Sequence, residues 1–588
     1  MLSHRIDCDS NEIIIFHREG PPQITFRGGA LLPAVSGSEL VLANLRLAKD
    51  IGDGTTVIPL IPSEAIAGGE MKIERRMGHV VLRTSYRAAK PHRLSEWTIA
   101  PKGSRISWNY LASFRNRHHH LHPYRQISLR GYDDGYFGAP GNINIQSTGY
   151  SYKGTSTISE NTYSQDWQFA PHPSLMIFQA PRCNLIAGCL DLPKSGFGIY
   201  FDCFQYEIGR WSIDLGGETH GMEVKAGDEV SSPAFIFALD HSEDVYHTAR
   251  LYHDILESRR FIPARDELPD DRSWHMPFTC TWFDQQSGQN VQYHESGKKL
   301  LKANEALCSK LLDAEIEFLR QAGTPWGTFC IDDGWQITRG DWEMDPVRMA
   351  GARSRIDALH AMGLKVILWW APFDILPNAR IRERRDLLCG GGKLGRHGMP
   401  LLDYSNPHVQ ESYLKPLARL LFSDEPGCYN ADGVKTDFMA DKIHPDMPVH
   451  NPEWRGEERF IFNTLRAMRD EGRKYKPAWT HQGCTAHPHF EQLNAFTRCY
   501  DNGSSDYRIM FERARMVAAF QPHNPVNTTV DCDGIDTDAV LDEAMRTGQP
   551  IETGGVLGWG SRRFTQSEIA LFDRHVRLFV ERWTGDIR

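Results

Sequence analysis

The segment Lys365-Val366-Ile367-Leu368-Trp369-Trp370-Ala371 is a short apolar run between two helical patterns. A run of this length in such a context predicts a β-strand. Seven similar runs occur in the same half of the chain, and helical patterns separate them. In chain order, the eight predicted strands are Phe278–Asp284, Gly327–Asp333, Lys365–Ala371, Val434–Met439, Ala478–Cys484, Ala495–Asp501, Val526–Cys532 and Ile551–Leu557. Eight strands that alternate with helices over about 310 residues match the (β/α)8 or TIM barrel in count and size.

Several of the helical patterns have recognisable ends. Asn406-Pro407 and Asn451-Pro452 each place a capping side chain before a proline at the first helical position. The last helical pattern begins with the capping box Thr565-Gln566-Ser567-Glu568. These signals support an alternation of strands and helices to the end of the sequence.

The first 265 residues have a different texture. They are punctuated by Gly and Pro and contain short β-rich runs such as Glu12–Phe16 and Gly198–Phe201. This spacing predicts a large antiparallel sandwich, and the prolines in Ile262-Pro263 and Leu268-Pro269 indicate a linker after it. We therefore expect a multidomain α and β protein. Residues 1–265 would form an N-terminal β-sandwich domain, and residues 266–588 would form a catalytic (β/α)8 barrel domain.

The composition excludes several classes of protein. Of the 588 residues, 40% are hydrophobic and 24% are charged, as in an ordinary globular protein. The chain has 75 acidic and 66 basic residues, which gives a net charge of −9, and the basic residues form no dense run. Nucleic acid is therefore not an expected partner.

Targeting and redox signals are mostly absent. Residues 1–19 lack the apolar core of a signal peptide, and no run of eighteen apolar residues is present. The twelve cysteines include no CxxC pair, and several lie in apolar runs, which favours reduced and buried thiols. We expect a cytoplasmic protein that has no membrane partner. The sequence does not decide between a monomer and a homo-oligomer.

Acidic residues end several of the predicted barrel strands. In a (β/α)8 barrel the active site lies at the carboxyl-terminal ends of the strands. The second strand ends in Asp332-Asp333-Gly334-Trp335, the fourth in Asp437 and the sixth in Asp501, while Asp284 and Asp374 follow the first and third strands. Carboxylates accept hydrogen bonds from sugar hydroxyls, and indole rings cover the apolar faces of sugars. The pattern therefore predicts a carbohydrate site.

The barrel region resembles the α-galactosidase-type glycoside hydrolases of family 36, which share a clan with families 27 and 31. The resemblance covers about residues 275–560. It rests on five sequence elements, which are Ile331-Asp332-Asp333-Gly334-Trp335, Gly340-Asp341-Trp342, Gly363–Trp369, Leu402-Asp403-Tyr404-Ser405-Asn406-Pro407 and Lys435-Thr436-Asp437. The order and spacing of these elements are specific, although each one alone would be weak.

The resemblance implies that Asp437 is the catalytic nucleophile and Asp501 the general acid/base. A separate physical argument supports Asp437, because Lys435 lies two residues earlier on the same strand face and its ammonium would stabilise the carboxylate. Asp506 is the alternative acid/base, although it fits better as the cap of the following helix. No metal and no cofactor are expected.

The two carboxylates imply a retaining, exo-acting α-glycoside hydrolase that works by double displacement. The acid protonates the leaving oxygen, the nucleophile forms a glycosyl ester, and the former acid then activates water. For both roles to coexist near neutral pH, the pKa of Asp501 should lie above that of Asp437. An α-galactoside is the favoured substrate.

The substrate contacts also follow from the resemblance. Asp332 and Asp333 correspond to the pair that binds hydroxyls of the terminal sugar, and Lys435 contacts the same sugar. The remaining expected wall residues are Trp335, Trp369, Trp282, Arg498 and Cys484. The sequence departs from the family's pattern at two substrate-contacting positions, so the resemblance supports the type of reaction more strongly than the identity of the sugar. The loop around Cys484 lacks the family's glycine run and carries several histidines, and the third strand ends in Ala371-Pro372-Phe373-Asp374 instead of Glu-Pro-Glu.

Other functions stay open at this point. A transglycosylase, an α-glycosidase for another terminal sugar and a non-catalytic carbohydrate-binding protein would all use much of the same site. The histidine cluster His118–His122 lies in the sandwich region, and consecutive histidines on an extended strand do not all face one ion. A solvated loop is the favoured interpretation of this cluster, with a loop that reaches over the barrel mouth as the alternative.

Overall fold

A computed structural model gives the architecture. It describes residues 2–107, 175–268, 278–286, 303–498, 515–530 and 551–577, with shorter gaps inside several of these ranges. Two of the predicted features, the His118–His122 cluster and the start of the last helical pattern at Thr565, lie outside the described residues.

The N-terminal region is built from antiparallel strands. In chain order they are β1 (Leu2–Asp7), β2 (Glu12–His17), β3 (Gly20–Arg27), β4 (Leu32–Val35), β5 (Glu39–Leu40), β6 (Lys49–Gly52), β7 (Thr55–Pro59), β8 (Ile66–Arg76), β9 (His79–Ala88), β10 (His92–Ala100), β11 (Arg105–Ser107), β12 (Leu175–Ala180), β13 (Cys183–Cys189), β14 (Gly198–Phe204), β15 (Glu207–Asp214), β16 (Met222–Val224), β17 (Glu229–Ser231) and β18 (Phe235–Asp240). One sheet has the order β1-β2-β3-β11-β15-β10-β4-β5, with β14 on β15 and β16 on β10. The other has the order β12-β13-β18-β9-β8-β7-β6, with β17 on β9.

The two sheets share one hydrophobic core. Phe26 and Trp211 come from the first sheet, and Phe237 comes from the second. The ring centroid of Phe237 lies 5.7 Å from that of Phe26 and 5.5 Å from that of Trp211. All three rings belong to a single cluster of buried side chains. Aromatic packing of this kind holds the two sheets face to face.

The second half of the chain contains eight parallel strands that close into a barrel. They are β19 (Phe278–Cys280), β20 (Thr328–Ile331), β21 (Lys365–Trp370), β22 (Gly433–Thr436), β23 (Thr480–Gly483), β24 (Phe496–Arg498), β25 (Val526–Val530) and β26 (Ile551–Thr553). Each observed strand falls within or next to one of the eight predicted segments. Strand β19 pairs with β26 through Phe278 and Glu552, which closes the barrel. Gly433 permits close contact within the barrel, since a Cβ there would overlap the carbonyl oxygen of Thr480.

Helices follow the first four barrel strands in the described residues. The helices whose bounds lie within the described residues are α1 (Val245–Ser258), α2 (Trp282–Gln286), α3 (Ala303–Ala306), α4 (Ser309–Ala322), α5 (Ala352–Ala361), α6 (Pro407–Val409), α7 (Lys415–Phe422) and α8 (Glu457–Gly472). A π-helical turn, Gln410–Leu414, joins α6 to α7. Asn406 caps α6 by accepting from the N–H of His408, and Asn451 caps a short 3-10 helix in the same way, as the sequence predicts.

The N-terminal region packs directly against the barrel region. Nε2 of His489 lies 2.9 Å from the carbonyl oxygen of Leu190, and Arg459 donates to the carbonyl oxygen of Leu192 at 2.8 Å. Tyr252 of α1 meets Phe520 edge-on, with 6.3 Å between the ring centroids. These contacts join α1 and the second sheet to the barrel region.

Among the helices in the described residues, none combines the length and apolar character that a bilayer crossing requires. The eight described cysteines are free thiols.

Candidate active site

The carboxyl-terminal ends of β19–β26, which we call the barrel mouth, gather most of the residues that the sequence singled out. Asp332 and Asp333 follow β20, Trp369 lies near the end of β21, and Asp437 follows β22. Parallel strands in a closed barrel present these ends on one side. The barrel thus collects residues from distant parts of the sequence.

Asp437 is held by three donors. Its Oδ2 accepts from Nε1 of Trp369 at 3.1 Å, and its Oδ1 accepts from Nη2 of Arg498 at 3.1 Å and from the N–H of Phe438 at 2.9 Å. The side chains of Asp437 and Arg498 are only 11% and 2% exposed. Charge-assisted hydrogen bonds to a carboxylate favour its ionised form and fix its orientation. The geometry therefore presents Asp437 as an oriented anion.

The backbone after Asp437 is unusual. Phe438 has a φ of 52°, in the left-handed region that non-glycine residues seldom adopt. Its ring packs edge-on against Trp369, with 5.7 Å between the centroids. The same Trp369 ring donates to Asp437, so the packing of Phe438 and the position of the carboxylate are linked.

Lys435 and Asp332 form a buried ion pair next to this group. Nζ of Lys435 lies 2.6 Å from Oδ2 of Asp332, and both side chains are about 5% exposed or less. Sγ of Cys280 donates to the same oxygen at 2.8 Å. Burial alone would raise the pKa of Asp332, but the Lys435 charge and the hydrogen bonds from Cys280 and Lys435 lower it overall. The sequence predicts that the Lys435 ammonium stabilises Asp437, and the structure adds a hydrogen bond to Asp437 from the guanidinium of Arg498.

Arg339 is a site residue that the sequence analysis did not identify. Its guanidinium donates to Oδ2 of Asp333 at 2.6 Å and to Oδ2 of Asp374 at 2.9 Å. It also lies 4.8 Å from the ring centroids of both Trp369 and Phe438. Burial would lower the pKa of Arg339, but the two carboxylates raise it overall. A signal was available, because Arg339 lies between the Asp332–Trp335 and Gly340–Trp342 elements.

The three predicted wall tryptophans occupy different environments. Trp335 is fully buried and donates from Nε1 to the carbonyl oxygen of Trp369 at 2.9 Å. Its ring stacks within 6.1 Å of Trp342, which in turn lies 6.0 Å from Trp369. Trp335 therefore supports Trp369 from behind, which corrects its expected place on the wall. Trp282 is half-buried at the start of α2, directly after β19.

Other motif residues have structural contacts. Asp403 accepts from the backbone N–H groups of Ser405 and His450, and the hydroxyl of Tyr404 donates to the carbonyl oxygen of Pro372. His481 is fully buried beside Thr436, and burial lowers its pKa to about 4. These residues position loops and strands around the mouth.

Several predicted residues lie outside the described part of the chain. They are Asp501, its alternative Asp506 and Cys484. The distance between Asp437 and the expected acid/base therefore stays a prediction, as does the contact of Cys484 with substrate.

One group at the mouth has the composition of a metal site. Ligand atoms of Cys280, Cys330 and Asp332 lie within 4.8 Å of one another. However, Nζ of Lys435 is 3.6 Å from Sγ of Cys280 as well as paired with Asp332. Burial and the neighbouring carboxylate raise the pKa of Cys280 well above its usual value. An ammonium and a protonated thiol are poor surroundings for a cation, so this donor set does not fit a metal.

Comparisons with known proteins agree with this fold. No family model matches the chain. Its structure is similar to the family 36 α-galactosidase AgaB from Geobacillus stearothermophilus, with 11% identity, a TM-score of 0.57, and coverage of 99% of this chain and 86% of that one. It is also similar to AgaA from the same organism, with 13% identity, a TM-score of 0.54 and coverage of 96% and 73%. Variants of AgaA have been solved in complex with stachyose and with raffinose.

A further structural match is the α-galactosidase from Lactobacillus brevis, with 12% identity, a TM-score of 0.51 and coverage of 99% and 70%. In sequence, 149 residues are 26% identical to an A type blood α-D-galactosamine galactosaminidase from Flavonifractor plautii. That match covers 24% of this chain and 11% of the relative. The resemblance to family 36 α-galactosidases is thus confirmed at the level of the fold.

Proposed function

We propose that this protein is a retaining, exo-acting α-glycoside hydrolase that removes a terminal α-galactosyl unit. Asp437 acts as the nucleophile and Asp501 as the general acid/base. Asp501 protonates the glycosidic oxygen while an Asp437 oxygen bonds to the anomeric carbon, and the aglycone leaves. Asp501 then takes a proton from water, which attacks the same carbon and releases Asp437. Two inversions give net retention.

The observation that carries the proposal is the environment of Asp437. A nucleophilic carboxylate must be ionised, oriented and protected from water, and Asp437 meets these needs through Trp369 and Arg498. The Arg498 cation also stabilises the negative charge that returns to Asp437 when the ester intermediate breaks down.

The charged pairs around Asp437 would recognise the sugar. Asp332 would accept from ring hydroxyls while Lys435 donates to them, because both are held at the mouth in a fixed geometry. Asp333 keeps a fixed orientation through Arg339 and offers its remaining lone pairs in the same way. Trp369, Trp282 and Cys484 complete the proposed contact set.

The proposal includes a domain organisation. Residues 1–265 form the β-sandwich domain, and residues 266–588 form a (β/α)8 TIM barrel. The face-to-face antiparallel sheets and the closed parallel barrel support these assignments. A cytoplasmic location and reduced cysteines belong to the same proposal, and a homo-oligomer is compatible with it.

The test is hydrolysis of a panel of aryl α-glycosides, with the anomeric configuration of the first product followed by proton NMR. We expect turnover of the α-galactoside with retention. The Asp437→Gly variant should lose activity and regain part of it when azide is added, because the small anion replaces the missing nucleophile and gives a β-glycosyl azide. If the folded Asp437→Gly variant gave an α-glycosyl azide, or if azide restored no activity, Asp437 would not be the nucleophile.

A second substrate is favoured by the match to a galactosaminidase. Besides Asp284, which pairs with Glu315, the described mouth contains four carboxylates, Asp332, Asp333, Asp374 and Asp437, and three cations, Lys435, Arg339 and Arg498. This excess of negative charge would favour a protonated amino sugar. An aryl α-galactosaminide in the panel decides between the two, since the preferred substrate should have the larger kcat/KM.

The remaining alternatives separate in the same assay. A transglycosylase would transfer the sugar to an added acceptor alcohol in preference to water, and a carbohydrate-binding protein would bind galactose without turnover on any glycoside.

A further inference from the structure

A second cluster of charged and metal-ligating side chains lies where α1 packs against the barrel region. It contains His253 of α1, Glu491 of the short 3-10 helix Pro488–Leu493, and His523. One ligand atom from each residue can be chosen so that all three lie within 4.8 Å of one another. Nε2 of His253 is 2.7 Å from Oε2 of Glu491, and the two imidazole centroids are 4.9 Å apart.

The surroundings of His253 leave polar capacity unused. Its side chain is 0% exposed, and its buried Nδ1 has no hydrogen-bond partner. The nearest carboxylate oxygens, from Asp254 and Glu257, are 3.6 and 4.0 Å away, which is too far for a good hydrogen bond. Oε2 of Glu257 also lies 3.3 Å from Nε2 of His523. His253 thus has carboxylates near both ring nitrogens, Asp254 and Glu257 near Nδ1 and Glu491 at Nε2.

We propose that His253, Glu491 and His523 form a site for a divalent transition-metal ion, with Zn²⁺ as the best fit, that joins α1 to the barrel region. Two imidazoles and one carboxylate are a common zinc donor set. Ligand atoms around a tetrahedral Zn²⁺ lie about 3.4 Å apart, so the observed spacing requires only small side-chain movements. Nε2 of His253 would bind the ion, and its Nδ1–H would donate towards the carboxylates of Asp254 and Glu257. Metal-binding histidines commonly donate from their second ring nitrogen to a carboxylate, which orients the ring.

Charge and access agree with this assignment. Asp254, Glu257 and Glu491 surround His253, and Arg250 balances one of them through its ion pair with Asp254. A dication would neutralise the remaining negative charge. The side chains of His523 and Glu257 are 11% and 26% exposed, which leaves a route for the ion. The sequence analysis expected no metal site, because the three residues are separated by up to 270 positions.

The alternative occupant of the cluster is protons alone, with His253 and His523 charged and paired to the carboxylates. The full-length protein, freed of metal with a chelator, separates the two cases by titration with Zn²⁺ and Co²⁺. We expect one equivalent to bind, Co²⁺ to show the intense visible bands of tetrahedral coordination without a thiolate charge-transfer band, and saturating Zn²⁺ to raise Tm by about 2–3 °C.

The His523→Gln variant should lose metal binding and the Tm increase. His360→Gln is the matched control, because His360 lies outside the cluster and pairs with Asp432 at 2.8 Å. This variant should bind the metal as the parent does and show the same Tm increase when Zn²⁺ is added. Absence of binding to the parent protein, a thiolate band, or equal binding in the His523→Gln variant would overturn the proposal. None of these readouts uses glycosidase activity, so they stand apart from the proposed function.

Discussion

Strand β22 has an aspartate next to each of its ends, and the two carboxylates are used differently. Asp432 precedes the strand, and its Oδ2 is 2.8 Å from Nε2 of His360 and accepts from the N–H of Val366 at 2.7 Å. Lys476 lies 3.6 Å from its other oxygen. Burial would raise the pKa of Asp432, but the hydrogen bonds from His360 and Val366 lower it overall. These partners belong to α5 and to the start of β21, so Asp432 joins framework elements.

Asp437 follows the other end of the same strand. Its side-chain donors, Trp369 and Arg498, come from β21 and β24, which the barrel brings together only at the mouth. Under the proposed function, similar burial and similar numbers of donors serve stability at one end of β22 and reactivity at the other. This division agrees with the general assignment of the two ends of such barrels.

The largest expected effect separates the two aspartates directly. Asp437→Asn should lower kcat on an aryl α-galactoside by about 10³-fold or more, because an amide is not a nucleophile for the anomeric carbon. Its Tm should also fall, because the change removes the charge paired with buried Arg498, so kcat is measured at a temperature where the variant is folded. Steady-state kinetics and thermal unfolding of the purified variant test both statements. An Asp437→Asn enzyme with more than a tenth of the parent activity would break the comparison.

The next effect concerns the ion network at the mouth. Arg339→Lys keeps a positive charge but cannot bridge Asp333 and Asp374 with two parallel donors. We expect kcat/KM to fall by about 10- to 100-fold, mainly through KM, because Asp333 is no longer fixed for the sugar. Arg348→Lys is a suitable control, since Arg348 pairs with Asp345 on the same long loop. Equal losses in the two variants would argue against a specific role for Arg339.

At the opposite end of the strand, Asp432→Asn should cost stability and spare activity. The expected loss is about 1–3 kcal/mol in the free energy of unfolding at pH 7, since a charged acceptor of two hydrogen bonds is removed. The folded pKa lies below the unfolded value of about 3.9. The carboxylate's contribution is therefore full above that value and is lost as the pH falls through the folded pKa.

Urea unfolding at several pH values tests this prediction. The difference in the free energy of unfolding between the parent and Asp432→Asn should become smaller in acid. A difference that grows on acidification would contradict it, as would a loss of kcat comparable to that of Asp437→Asn.

The smallest effect tests whether every acid at the mouth is functional. Asp284 follows β19 but is hydrogen-bonded to Glu315 of α4. Burial first, and then the charge and hydrogen bond of Asp284, raise the pKa of Glu315 well above its usual value. The folded state therefore holds a proton that the unfolded chain loses above about pH 4.3, and stability falls as the pH rises from there towards the folded pKa.

Glu315→Gln removes this dependence, so the variant should gain stability relative to the parent as the pH rises from 5 to 8. Chemical denaturation at the two pH values measures the gain. If the difference in the free energy of unfolding between the variant and the parent were the same at both pH values, Glu315 would not hold the proton.

Strands such as β20 and β21 were predictable because they are short apolar runs between helical patterns. Their ends were less predictable. The first predicted strand, Phe278–Asp284, stops at Cys280, and the chain then turns into α2. Strand length depends on how many residues the neighbours can pair, here Thr328–Cys330 on β20. That information is not local to the sequence.

The site was predictable as far as strand ends determine it. Asp332, Asp333, Lys435, Asp437 and Arg498 meet at the mouth as expected. The partners within this set were not predictable, because they cross the barrel. Spacing along one strand suggests that Lys435 stabilises Asp437, but it does not reveal that the Lys435 ammonium also pairs with Asp332, just after β20. The position of Trp335 behind Trp369 likewise depends on packing that no short motif contains.

The contacts between the sheet region and the barrel region have an evolutionary consequence. His489 and Arg459 bond to main-chain carbonyl oxygens, those of Leu190 and Leu192, which every amino acid supplies. Mutational drift at 190 and 192 therefore leaves the bonds intact, while replacement at 459 or 489 removes them. In an alignment of chains with this fold, the barrel-side columns should vary less than the sheet-side columns, and the two sides should show little covariation.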